Sequence, residues 1–340
     1  MSKKENNKYS CRLGTVGGQA VLEGVMMKSK DLVALSVRGT DGIINTEVKP
    51  FKSVRSKNKF LNIPIIRGII NFVETMILSF NTLTRSADML GIEEEETKFD
   101  KWLTKVFGKK ITAIASAIGM VLGLLLSVVL FIYLPIIASN LIEKFLTDNR
   151  IILSVSEGLI KILIFILYIL FCTLIPDMKR TFQYHGAEHK SIFCHEAGLE
   201  LTVENVKKQS RFHPRCGTSF LFVMMFLGII TSALIIDFND YIRVALKILF
   251  LPLVVGVGFE FIKFAGTHDN FLIRMISAPG LWIQRLTTKE PDLKQIEVAI
   301  CSLKAALPDI YPSEEKNENE SDATNIDIDI PNNNSDESNS

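Results

Sequence analysis

Four stretches of the chain are apolar over lengths that match a bilayer, whose hydrocarbon core of about 30 Å takes about 20 helical residues. Residues 111–139 are uncharged throughout, which a helix buried in a soluble core rarely achieves over such a run. Residues 156–176 form the second run, with Glu157 and Lys161 near its start. Their i, i+4 spacing places them on one helix face, where the acid can pair with the lysine at the interface. Residues 218–236 form an uncharged third run, and residues 241–264 a fourth, with Arg243 and Lys247 near its start and Glu260 and Lys263 near its end. Only the short DFND segment separates the last two, so they must form a tight antiparallel hairpin. The spans then hold no paired charges in their interior and no broken-helix repeats, which speaks against a transporter.

Between these runs the pattern changes period. Residues 11–58 break into short segments rich in branched side chains, divided by polar turns that include Asp41-Gly42, and predict a small β-rich region. Residues 60–90 are apolar but carry Arg67, Asn71, Glu74, Asn81 and Arg85 on one helical stripe. This predicts an amphipathic helix lying on the membrane or packed against the bundle. A fifth span is the alternative, and it would put the basic N-terminus on the outer side. The acidic-then-basic segment around 92–110 reads as a surface linker or short helix. Residues 265–312 predict cytosolic or interfacial helices, with Trp282 and Arg285 at the boundary and an apolar face at 293, 296, 300 and 303. Residues 1–10 read as a flexible N-terminus and 313–340 as a disordered acidic tail. The fold class expected is therefore an α+β membrane protein with about four transmembrane helices.

Charge sets the orientation. Lys and Arg number 19 in residues 1–110, seven in the 177–217 loop, two in 140–150 and none in 237–240. The positive-inside bias then puts both termini and the 177–217 loop in the cytosol. The opening MSKKENNKYS has no apolar core, so no signal peptide is expected. Five scattered cysteines argue against a secreted disulfide framework.

Four of the five histidines fall within 29 residues of the 177–217 loop: His185, His189, His195 and His213. Asp177 can start a helix there and Gly198 can end it. His185 and His189 are then one turn apart on one face, able to share a zinc ion. HGAEH (185–189) fits H-x-x-E-H, the order in which the glutamate serves as general base beside a metal. That gives Glu188 the catalytic role. Further ligand candidates are Glu196, His213 and Cys216 in the same loop and Glu260 at the cytosolic end of the fourth span. His195 and Cys194 read as packing or surface residues, Cys172 as filler in the second span, and His268 as a loop or outer-shell group. Nothing suggests nucleic-acid recognition. The basic residues of the loop read as topology determinants.

Four motifs in order, GGQAVLEGVMM (17–27), YHGAEHK (184–190), RFHPRCGTSF (211–220) and PGLWIQRLTTKEP (279–291), resemble the YqhQ-like family, a bacterial group of unknown function labelled "predicted metal-dependent enzyme". The resemblance covers about residues 11–308. It implies a polytopic membrane protein with a metal site, and carries functional weight onto His185, Glu188, His189, His213 and Cys216. Gln19, Glu23 and Gly24 belong to its glycine-rich motif. The expectation is a multi-pass protein of a bacterial cytoplasmic membrane that holds a divalent metal, zinc above all, and hydrolyses a membrane-associated protein or lipid substrate. Its rival is a non-enzymatic biogenesis or scaffold factor whose His/Cys site is structural. Three ligands and an open cleft would favour catalysis; four ligands and no cleft would favour structure.

Overall fold

A computed structural model describes residues 12, 14–91, 111–214, 216–265 and 271–312. The expectations for 1–10, for the linker at 92–110, for His268 and for the tail at 313–340 lie outside the described residues.

The N-terminal region is an antiparallel sheet in the order β1 (Gly17–Val21), β2 (Gly24–Lys28), β3 (Leu32–Arg38), β4 (Ile44–Pro50). A two-residue turn joins β1 to β2, with Glu23 in the left-handed region at φ 46. Asp41-Gly42 turns the last hairpin, Gly42 taking φ 84. Both faces of the sheet are covered, so β2 and β3 read as continuous apolar runs rather than alternating ones. On one face Val25, Met27 and Ala34 pack with Tyr184, Ala187, Ile296, Ala299 and Leu303. On the other, Val21, Met26, Val33, Leu35 and Val37 pack with Phe51, Leu78 and Met89. Burial of each large apolar side chain contributes about 1.5–3 kcal/mol.

Helix α1 (Ile66–Met89) carries the predicted polar stripe and uses it. Arg67 ion-pairs with Glu260, Arg85 with Glu47, and Glu74 accepts from the Ser53 hydroxyl at 2.9 Å and the Val54 amide at 2.6 Å. Val73, Met76, Ile77 and Phe80 remain exposed on the opposite side, completing an amphipathic helix.

Four helical stretches among the described residues are long and apolar enough to cross a membrane, and α1 is not one of them: Val121–Phe145, Arg150–Leu174, Gly217–Leu234 and Asp240–Phe264. Their outward faces are apolar, as at Leu124, Leu125, Leu126 and Leu163, which suits lipid and not water. The protein is an α+β membrane protein. Span 1 consists of α2 (Ile111–Val128), a π turn at Val129–Tyr133 and α3 (Leu134–Phe145). The π turn lies just before Pro135, which has no amide hydrogen to continue the regular ladder. This span continues past the residue 139 expected from the sequence. Span 2 is α4 (Arg150–Leu174), and after one extended residue, Ile175, it leads into α5 (Pro176–Glu196). Proline expels the residue before it from the helical region, so the break follows from the sequence. Then come α6 (Val203–Lys207), span 3 as α7 (Gly217–Leu234), span 4 within α8 (Asp240–Ala265), α9 (Phe271–Thr287) and α10 (Leu293–Ala306).

The charges of spans 2 and 4 are arranged differently from the sequence expectation. Glu157 was expected to pair with Lys161 at the interface. Its carboxylate is instead buried against span 4, bound by Lys247, by Arg243 at 2.8 Å and by the Ser232 hydroxyl at 3.0 Å. Arg243 also reaches Asn140 of span 1 at 3.1 Å. Paired charges therefore do sit inside the bundle, at the end away from α5. A pairing between distant helices leaves no i, i+4 signature to read.

Candidate metal centre

Helix α5 presents the site. Pro176 occupies its first turn, where the missing amide costs nothing and the fixed φ suits the helix. Gly198 ends it at φ 69, with the Gly198 and Leu199 amides bonding back to the His195 and Cys194 carbonyls. The periodicity therefore puts His185, Glu188 and His189 on one buried side, with the two imidazole centroids 4.4 Å apart.

Each imidazole is held by its Nδ1. His185 Nδ1 lies 3.0 Å from the Thr287 carbonyl and His189 Nδ1 lies 2.6 Å from the Arg211 carbonyl. A carbonyl can only accept, so Nδ1 donates on both rings, and Nε2 is the nitrogen each neutral ring can offer to a metal. This is the support that metal-binding histidines ordinarily receive. Cys216 brings the third donor: its Sγ is 3.3 Å from His185 Nε2. It caps the N-terminus of α7 and accepts from the Thr218 amide and hydroxyl. One ligand atom from each of His185, His189 and Cys216 lies within 4.8 Å of the others, so the three can hold a metal ion. Two imidazoles and a thiolate are a donor set that fits zinc.

Glu188 is buried beside them, Oε2 lying 3.8 Å from His185 Nε2. Burial pushes its carboxyl up to about 7, with the His185 charge opposing. Gly18 of β1 makes room for it. A β-carbon there would stand 2.7 Å from Glu188 Cγ, closer than real contacts allow. These groups line a cleft of about 450 Å³, walled by β1, by Ser79 of α1 and by Thr218 and Leu221 at the start of span 3.

The remaining expected site residues fall around this group rather than in it. Glu196 Oε2 is 3.4 Å from His213 Nε2, and Glu196 Oε1 accepts from the Gly14 amide at 3.1 Å. His213 is clamped through its backbone by Gln284, at 2.8 Å in both directions. Glu260, expected to reach the site from span 4, is taken by the Arg67 guanidinium. The spacing around Glu260 placed it at the cytosolic end of span 4 but carried no sign of that partner. Gln19 lines the cleft. Glu23 is bound by Arg180, which holds its carboxyl below the usual range, and accepts from the Tyr184 hydroxyl at 3.2 Å. That contact ties the β1–β2 hairpin to α5. Gly24 allows β3 to approach; a β-carbon there would meet the Ser36 carbonyl at 2.4 Å.

His195 and Cys194, expected as packing or surface residues, are buried. His195 is bonded to Thr15 at 3.0 Å and Tyr311 at 2.9 Å. The two carbonyls that orient the imidazoles leave no direct sign in the sequence, because backbone groups have no residue signature. Their positions do lie in or beside two of the motifs quoted for the family resemblance.

Residues 63–309 match the family model described as "Protein of unknown function (DUF1385)". The chain is also 36% identical over 293 residues to "Uncharacterized protein YqhQ" of Bacillus subtilis (strain 168), a match spanning 86% of this chain and 92% of that protein. No solved structure matches.

Proposed function

This chain belongs to the DUF1385 family, and we propose that it is a zinc-dependent hydrolase of a bacterial cytoplasmic membrane, with both termini and the site on the cytosolic side. His185, His189 and Cys216 would hold the ion. Bound zinc would supply Lewis acidity toward water and toward a substrate carbonyl. Glu188 would accept the proton of the attacking water and return it to the leaving group. A carboxyl raised by burial is suited to this exchange near neutral pH. The cleft beside spans 3 and α1 suits a substrate that is itself membrane-associated.

The observation that carries the reading is the pair of imidazoles with both Nδ1 atoms donating to backbone carbonyls, His185 Nε2 left 3.3 Å from the Cys216 sulfur, and one donor atom from each of the three residues within 4.8 Å of the others. A closed structural site would take four protein ligands. Three converge among the described residues, and they open onto a cleft. Metal analysis of the purified full chain tests this. Wild type and Glu188→Gln should each hold about one zinc per chain, and His189→Ala should lose it. Glu188→Gln should fail to complement a deletion strain. Equal zinc in wild type and His189→Ala would remove the ligand assignment, and full complementation by Glu188→Gln would remove the catalytic role.

A further inference from the structure

Strand β1 is an edge strand, and its residues Gly17–Ala20 line the cleft. The sheet order leaves it one neighbour, β2. The register pairs Val21 with Gly24 across a two-residue turn, then Ala20 with Val25, Gln19 with Met26 and Gly18 with Met27. In such a hairpin the turn-flanking pair is hydrogen-bonded and the pairs alternate from there. Val21, Gln19 and Gly17 therefore spend their amides and carbonyls on β2. Gly18 and Ala20 turn theirs outward, about 7 Å apart along the strand. Among the described residues no partner takes those outward groups. Residues 16–20 line the same cleft as His185, Glu188 and Cys216, and Gly18 touches Glu188.

Two further features mark the edge as available. Exposed edges are ordinarily blunted by lysine, proline or a bulge. β1 reads GGQAV, with none of these. Gly17 also has no packing reason to be glycine, since a β-carbon there would meet nothing within 4 Å. Glycine in a strand often marks a place where another backbone comes close.

We infer that β1 is a substrate-binding edge, and that the substrate is a polypeptide bound in extended form as an additional strand along Gly18 and Ala20. Donors and acceptors alternating at strand spacing match another extended backbone; a lipid ester has no amide hydrogens to offer the carbonyls. The catalytic half of this inference rests on the hydrolase reading. A peptide laid on β1 passes beside Glu188. Water adds its oxygen to the amide carbon, Glu188 takes the proton and delivers it to the nitrogen, and the C–N bond breaks to give a carboxylate and an amine. The strand addition itself needs no metal.

Photo-labelling of the full chain in lipid nanodiscs, without added metal, tests the strand addition. The probe is a mixture of random eight-residue peptides, acetylated and amidated, each carrying one benzophenone side chain. The label should fall on the tryptic fragment 13–28 and should be displaced by excess unmodified peptide. The same peptides N-methylated at alternating positions should compete at least tenfold less well. Ala20→Pro removes an outward amide while leaving the β1–β2 ladder intact, and should cut labelling at least tenfold; Ala20→Val, which keeps the amide, should label as wild type. Absence of label on 13–28 in the wild type, or equal competition by the N-methylated peptides, overturns the inference. Zinc content, measured on the same preparation, separates the two ideas. Labelling without zinc binding would end the hydrolase reading alone, and zinc binding without labelling would end the peptide assignment alone.

Discussion

Gly186 sits between the two ligand histidines, and adding one methyl group to it sets two forces against each other. In an exposed helix, glycine to alanine stabilises by about 1 kcal/mol through backbone entropy. Here a β-carbon would stand 2.1 Å from the Lys289 carbonyl oxygen, where ordinary contact begins near 3.4 Å. The obstacle is backbone and cannot rotate away. Helix α5 and the segment 287–291 must separate by about 1 Å or more. That separation strains the Lys289 amide bond to the Phe182 carbonyl, 2.8 Å, and the His185 bond to Thr287, 3.0 Å. Overpacking costs about 1–3 kcal/mol, and each hydrogen bond is worth about 1 kcal/mol. Gly186→Ala should thus be destabilised by about 2–4 kcal/mol after the helix gain is subtracted. Loss of the support beneath His185 should also weaken zinc binding about 10- to 100-fold. Thermal melting in detergent and zinc titration against a chromogenic chelator read the two effects. Gly123→Ala in span 1, where nothing lies within 4 Å, is the control and should melt at or slightly above wild type, since it keeps the helix gain without the clash. A Gly186→Ala protein that melts at or above wild type with unchanged zinc affinity would refute the steric argument.

The buried charges make a second prediction. Glu157→Ala leaves Arg243 and Lys247 without their shared carboxylate and should cost about 3–5 kcal/mol, whereas replacing all three together with Leu, Met and Met should restore most of that. Melting curves in detergent decide it, and a triple variant as unstable as the single would sink the idea. His195 is buried neutral between Thr15 and Tyr311, with Arg12 nearby, and its pKa is held below the ordinary 6.5 mainly by burial. Its contribution is full above about pH 6.5 and falls as the pH drops below that value, by at most about 1.4 kcal/mol per pH unit. His195→Gln should flatten the stability profile between pH 7 and 5; an unchanged slope would show that another group titrates. Tyr184→Phe removes the hydroxyl bond to Glu23 and should destabilise by about 1 kcal/mol, seen as a lower melting point; no change would mean that Arg180 alone anchors the hairpin.

Much of this fold was readable because hydropathy is a one-dimensional signal. The spans, the amphipathic character of α1 and the helical placement of His185 and His189 each follow from spacing along one segment. The Gly198 stop and the Asp41-Gly42 turn follow from local backbone chemistry. What escaped depends on segments far apart in the chain. Glu157 selects Arg243 and Lys247 over Lys161, and Arg67 captures Glu260, because helix packing brings them together. The packing role of Gly18 is to admit a carboxylate from a helix about 170 residues later. Cys216 was a candidate by motif, but its convergence with His185 depends on where α7 starts relative to α5.

The single extended residue at Ile175 has a mechanical consequence. Span 2 and the helix that carries His185 and His189 meet at this one residue, jointed just before Pro176. His185 lies nine residues beyond that joint, a lever arm of about 14 Å at 1.5 Å per residue. A swing of about 5° there would carry the ring by about 1 Å, a misplacement able to slow a reaction 100-fold. Helices adapt to bilayer thickness by tilting, so the thickness of the surrounding lipid is expected to bear on how His185 and His189 stand against Cys216.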